Sequence, residues 1–123
     1  MRKTNLFLAG VFATISVAAT AEPTVLIGDE LKTTFLAKPI VFVRDRDNQK
    51  VSWDVRPDGY LYGQNLSRGT TDRAKWEIKD DHLCVTWFGN STNDCFGLTK
   101  DGDTLALYTG DKAAPKHVGS VEK

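Results

Sequence analysis

Two cysteines, Cys84 and Cys95, are the residues of this 123-residue chain whose spacing most tightly constrains their chemistry. A two-residue turn at Gly89-Asn90 sets Cys84 directly opposite Cys95, and a four-residue loop over 88–91 preserves that pairing. Facing residues of antiparallel strands sit about 4.5–5.5 Å apart at Cα, within disulfide reach. A redox pair usually reads Cys-x-x-Cys, and a zinc site needs more ligands. A structural disulfide is therefore expected.

The other chemistry-bearing residues form weaker patterns. His82 and His117 are the only histidines, near Asp80, Asp81, Asp101 and Asp103 in sequence, without metal-ligand spacing. They are read as exposed histidines beside solvated turn aspartates, and no metal or cofactor is expected. Asp45-Arg46-Asp47 opens like a calcium loop, but Lys50 and Arg56 stand where glycine and glutamate are needed. Gly-x-Ser-x-Gly, His-Glu-x-x-His and phosphate-cradling loops are absent from the sequence. No catalytic residue is assigned. Trp53, Tyr60, Tyr62, Trp76 and Trp87 are the binding candidates, because an aromatic-lined barrel mouth suits a small apolar ligand. The competing expectation is that they simply fill a small barrel's core.

The elements that must position these residues follow from local pattern. A short helix is predicted over Asp29 to Lys38, with Asp29 as N-cap and Leu31 and Phe35 on one face. Pro39 ends it. Strands are predicted at Ile40–Arg44, Val51–Val55, Tyr60–Tyr62, Ala74–Ile78, Leu83–Trp87, Asp94–Leu98, Thr104–Thr109 and Lys116–Val121. Turns fall at Asp45–Asn48, Pro57-Asp58-Gly59, Asp80-Asp81 and Asp101-Gly102, with a longer polar loop over Asn65–Asp72. Short strands about ten residues apart signal an all-β barrel or sandwich. Short connections favour antiparallel neighbours. The expected fold is mainly β: a small antiparallel β-meander or barrel of about eight strands with one short N-terminal helix. The cysteine register puts Leu83, Val85, Trp87, Phe96 and Leu98 on the core face, and His82, Cys84, Thr86 and Cys95 on the outer face.

The N-terminus has a different composition. Arg2 and Lys3 precede an uncharged, apolar or small run from Leu6 to Ala19, and Ala19-Thr20-Ala21 has the small residues of a cleavage site. That order is a secretory signal peptide over residues 1–21, followed by a single domain over 22–123. The run is too short for a bilayer-spanning helix, which needs about 20 residues, so no stable membrane anchor is expected after cleavage. Removing 21 of the 123 residues, and with them two of 16 basic residues against 16 acidic, leaves 102 residues with net charge −2. That balance argues against nucleic-acid binding through bulk electrostatics.

The stretch Ile27 to Val121 resembles a group of small exported bacterial proteins of unknown function. The residues that carry the likeness are Trp76, Leu83-Cys84, Trp87, Cys95 and Asp101-Gly102-Asp103. The layout is also similar to periplasmic lysozyme inhibitors, which are small disulfide-stapled barrels. Their Ser-Gly-x-x-Tyr loop is absent here, and no functional residue is transferred from either group. The expectation is a periplasmic or secreted, non-catalytic binding domain whose partner is a protein or a small ligand. The alternative is an inhibitor of an extracytoplasmic hydrolase such as a lysozyme or protease. A third class is an envelope hydrolase using aspartates with His82 or His117.

Overall fold

The computed structural model describes residues 23–123, so the expected signal segment 1–21 lies outside the described residues. Along the chain run β1 (Thr24–Val25), α1 (Gly28–Ala37), β2 (Ile40–Arg44), β3 (Lys50–Val55) and β4 (Tyr60–Asn65). Then follow β5 (Thr70–Lys79), β6 (His82–Trp87), β7 (Asn93–Asp101), β8 (Thr104–Thr109) and β9 (Lys116–Val121). From β2 onward each strand pairs antiparallel with the next. β9 also pairs with β2, which closes an eight-stranded barrel. β1 adds one short strand beside β7, which the sequence pattern does not anticipate.

Strand period places the core. Val51, Trp53 and Val55 alternate inward from β3, and Leu83 and Val85 from β6 meet Leu98 of β7 and Leu107 of β8. Leu31 and Phe35 of α1 join the same core, as their spacing of four predicts. α1 covers the barrel end that carries the Asp80-Asp81 turn, because the Gly28 N–H donates to Asp81 Oδ1 at 2.9 Å and Leu26 N–H donates to the Leu98 carbonyl at 2.9 Å.

Two local expectations are corrected. Asp29 is not the N-cap: that place belongs to Ile27, which offers no side-chain oxygen, and the cap comes from Asp81. A carboxylate from a distant hairpin satisfies an orphan N–H where the chain before the helix cannot. The polar stretch Asn65–Asp72 is also not a long loop. β4 and β5 pair through Asn65↔Thr70, so only residues 66–69 connect them. Ladder hydrogen bonds at the barrel rim override the polar composition, and Gly69 takes the positive φ of 78° that the tight turn needs.

Cys84 and Cys95 are directly paired and disulfide-bonded, with Cα atoms 3.9 Å apart. The connection is the four-residue alternative over 88–91, since Trp87 N–H donates to the Thr92 carbonyl at 3.1 Å. Alternation from that bonded pair puts Cys84 and Cys95 in the closely spaced, non-hydrogen-bonded class. The face they share is partly covered. Cys84 and His82 are buried there, which corrects the expectation of an exposed His82. Tyr108 covers this outer face: its ring lies across Gly97, where any Cβ would fall on it, and meets His82 edge-on at 5.5 Å. The His82 ring nitrogens lie 2.6 Å from the Asp80 carbonyl and 2.7 Å from the Gly110 carbonyl.

Three outcomes are expected. Replacing both cysteines by serine should lower unfolding free energy by about 3 kcal/mol in chemical denaturation, the chain-entropy value for so short a loop. Gly97→Ala should cost about 1–3 kcal/mol, because Tyr108 must leave its seat. Lys112, at 2.6 Å, and the Gly28 N–H hold the Asp81 carboxyl below the 3.8 of a free aspartate. Its contribution is therefore complete above about pH 4 and lost as pH falls through the lowered value. Thermal melts of Asp81→Asn should show a lower midpoint at neutral pH and a flatter acid limb than the parent protein; equal midpoints would refute the cap.

Candidate ligand-binding site

The barrel is packed and covered at the α1 end and open at the other. A cavity of about 650 Å³ opens there, bounded by the end of β2, the starts of β3, β5, β7 and β9, and the ends of β4, β6 and β8. Eight strands enclose just enough room either for side chains or for one small ligand.

Trp53 is the hub of the cavity floor. Its ring meets Phe42 at 5.0 Å and Phe96 at 5.1 Å, both edge-on, and Trp87 at 6.1 Å. Edge-on packing sets the positive rim of one ring against the negative face of another and locks the rings' orientation. Trp87 of β6 reaches past β5 to β4 because β4 has a glycine there: a Cβ on Gly63 would stand 3.0 Å from the indole. Arg44 and Arg46 stand at the mouth on the β2–β3 side, and Asp72 and Asp94 on the β5–β7 side. Arg44 donates to Asp47 through Nη2 at 2.8 Å and Nε at 3.2 Å, and this bond holds the Asp47 carboxyl below the usual carboxylate range.

The five aromatic candidates separate. Trp53 and Trp87 line the cavity. Trp76 faces the core at the other end and donates its indole N–H to the Arg56 carbonyl at 2.8 Å. Tyr60 and Tyr62 lie on the outer wall: Arg56 sits over the Tyr62 ring at 4.2 Å, and Tyr60 approaches Phe88 at 6.2 Å. Strand parity explains the division, since positions 60 and 62 alternate with the inward Leu61 and Gly63. Phe42 is the diagonal neighbour of Trp53 in the β2–β3 hairpin, whereas Phe96, an expected core-face residue, comes to Trp53 only through the closed ring.

One further constellation stands outside the cavity. His117 Nδ1 contacts Asp45 Oδ2, and Ser120 Oγ lies 3.5 Å from His117 Nε2. Residues three apart on a strand normally face opposite ways. A bulge in the β8–β9 ladder inserts an extra residue and puts both on the outer wall. The line has the order of a serine–histidine–carboxylate relay. About half the side-chain surface of His117 (48%) and Asp45 (51%) meets water, so the dry enclosure that strengthens such electrostatics is missing. His82 meets carbonyls rather than a carboxylate.

No helix among the described residues is long and apolar enough to cross a membrane. Comparisons with protein-family models, curated proteins and solved structures find no match for this chain.

Gly63→Ala should shift the Trp87 indole by a few tenths of an ångström. The expected result is a changed near-ultraviolet circular dichroism of the tryptophan cluster. An unchanged spectrum would show that Trp87 does not rest on Gly63.

Proposed function

We propose that this chain is an exported, non-catalytic binding protein that takes a small ligand with an apolar body into the open end of its barrel. The observation that carries the reading is the open barrel end: a cavity of about 650 Å³ whose lining includes Trp53 and the three aromatic rings packed against it, Phe42, Trp87 and Phe96. Ligand pockets run from about 300 to 1,000 Å³, with apolar walls and a few polar groups at fixed places. A barrel needing only stability would fill this space, because unfilled volume forfeits dispersion contacts. Export is supported by the charged, apolar and small-residue order at the N-terminus and by the disulfide, which persists in oxidising compartments. The resemblance to small exported bacterial proteins points the same way, to the periplasm or the medium.

A protein partner is the second reading, and one observation favours it. Phe88 is 45% exposed at the β6–β7 connection, with Arg73 over its ring at 5.2 Å and Tyr60 beside it. Aromatic and arginine side chains dominate protein-binding hot spots. An inhibitor of an extracytoplasmic hydrolase would use such a loop.

The readings separate in one experiment. N-phenylnaphthylamine, a neutral dye that brightens in apolar pockets, should bind the exported protein and quench its tryptophan emission. Trp87→Ala should weaken the dye by about tenfold, equivalent to roughly 1.4 kcal/mol, while Phe88→Ala leaves it unchanged. Failure of the dye and of other apolar probes to bind would overturn the cavity reading.

A further inference from the structure

The two sides of the cavity mouth differ in how their charges are already satisfied. In the ring order β2-β3-β4-β5-β6-β7-β8-β9, strands β5 and β7 flank β6, which stands opposite β2. Asp72 and Asp94 therefore face Arg44 and Arg46 across the opening. On the cationic side Arg44 is already paired. Arg44 is held by both carboxylate oxygens of Asp47, and Arg46, 76% exposed, lies 3.9 Å from the same carboxylate. On the other side, neither Asp72 nor Asp94 has a cationic group within 4.0 Å among the described residues. Asp72 takes one local hydrogen bond, from the Arg73 N–H at 2.7 Å. It lies beside the β6–β7 connection, since a Cβ on Gly89 would stand 3.3 Å from its carboxylate.

We infer that the ligand is an amine: an apolar or aromatic body on the Phe42–Trp53–Phe96 floor, with a protonated nitrogen between Asp72, Asp94 and the Trp87 ring. The inference rests on the cavity reading above. Each part of the site suits one part of that ligand. The aromatic floor takes the body through area burial and edge contacts. An indole face attracts a cation through its quadrupole, best where water is excluded. A carboxylate without a partner adds a charge-assisted hydrogen bond to an ammonium N–H. An anionic head would meet Arg44 already bound to Asp47, the largely exposed Arg46 and two opposing carboxylates.

The test displaces N-phenylnaphthylamine from the full exported domain with three probes of one body: phenylbutylamine, phenylbutanol and phenylbutyrate. The amine should bind about tenfold tighter than the alcohol, the scale of one charge-assisted contact, and the acid weakest. Asp72→Asn with Asp94→Asn should remove the amine's advantage and leave the alcohol unchanged. Raised ionic strength should shrink the advantage, as screening requires. Equal binding of amine and alcohol would overturn the inference and leave the cavity reading intact. Tighter binding of phenylbutyrate would overturn it in favour of the arginine side. Failure of the dye and all three probes would overturn both.

Discussion

Closure of the barrel through β9 is the constraint on which everything else depends. Six residues at the end of the chain, Lys116–Val121, hydrogen-bond to β8 beside them and to β2, more than seventy positions earlier. Without that strand, β2 and β8 would expose unpaired edges, a liability that only full closure removes. With it, strand number sets the interior, and eight strands leave a bore one or two side chains wide. The room available to a ligand is thus a consequence of ring size before any particular side chain is considered.

How the two ends use that bore differs. At the α1 end, Leu31 and Phe35 complete a core with Leu61, Leu83 and Leu98, and the helix is tied down by Asp81. A second packed layer lies outside the wall, where Tyr108 covers Gly97 and the disulfide joins β6 to β7. Burial pushes the Tyr108 phenol up, and its hydroxyl finds no partner among the described residues. At the open end the aromatic rings pack edge to edge yet leave space. A domain of about a hundred residues has modest reserve, and a covalent staple outside the cavity adds to it without occupying the bore.

Much of the architecture was legible in the chain itself. Period-two alternation marked the strands, Asp-Asp and Pro-Asp-Gly marked turns, and the symmetric placement of Cys84 and Cys95 about the connection between them gave their register. These are local signals, because side-chain parity and turn chemistry depend on a few neighbouring residues. The same locality explains the errors. Asp29 has the composition of a cap, but the group that caps the helix is 53 residues away from Gly28. His82 sits on the outward parity and is buried all the same, because Tyr108 folds over the outer wall. Asn65–Asp72 is polar because it edges the cavity mouth, not because it is a long loop.

By itself, then, the sequence determined the eight barrel strands, the core face of the β6–β7 hairpin, most of the turn positions and the cysteine pairing, all set by interactions within or between adjacent segments. Only the tertiary structure decided which inward residues meet across the bore. Phe42, Trp53, Trp87 and Phe96 come from four strands, and their convergence requires the ring to close. It also decided that Asp72 and Asp94 stand opposite Arg44 and Arg46, and that His117 and Ser120 share a face through a bulge. Closure and bulging are long-range geometry, and period-two patterning along one strand carries no record of either.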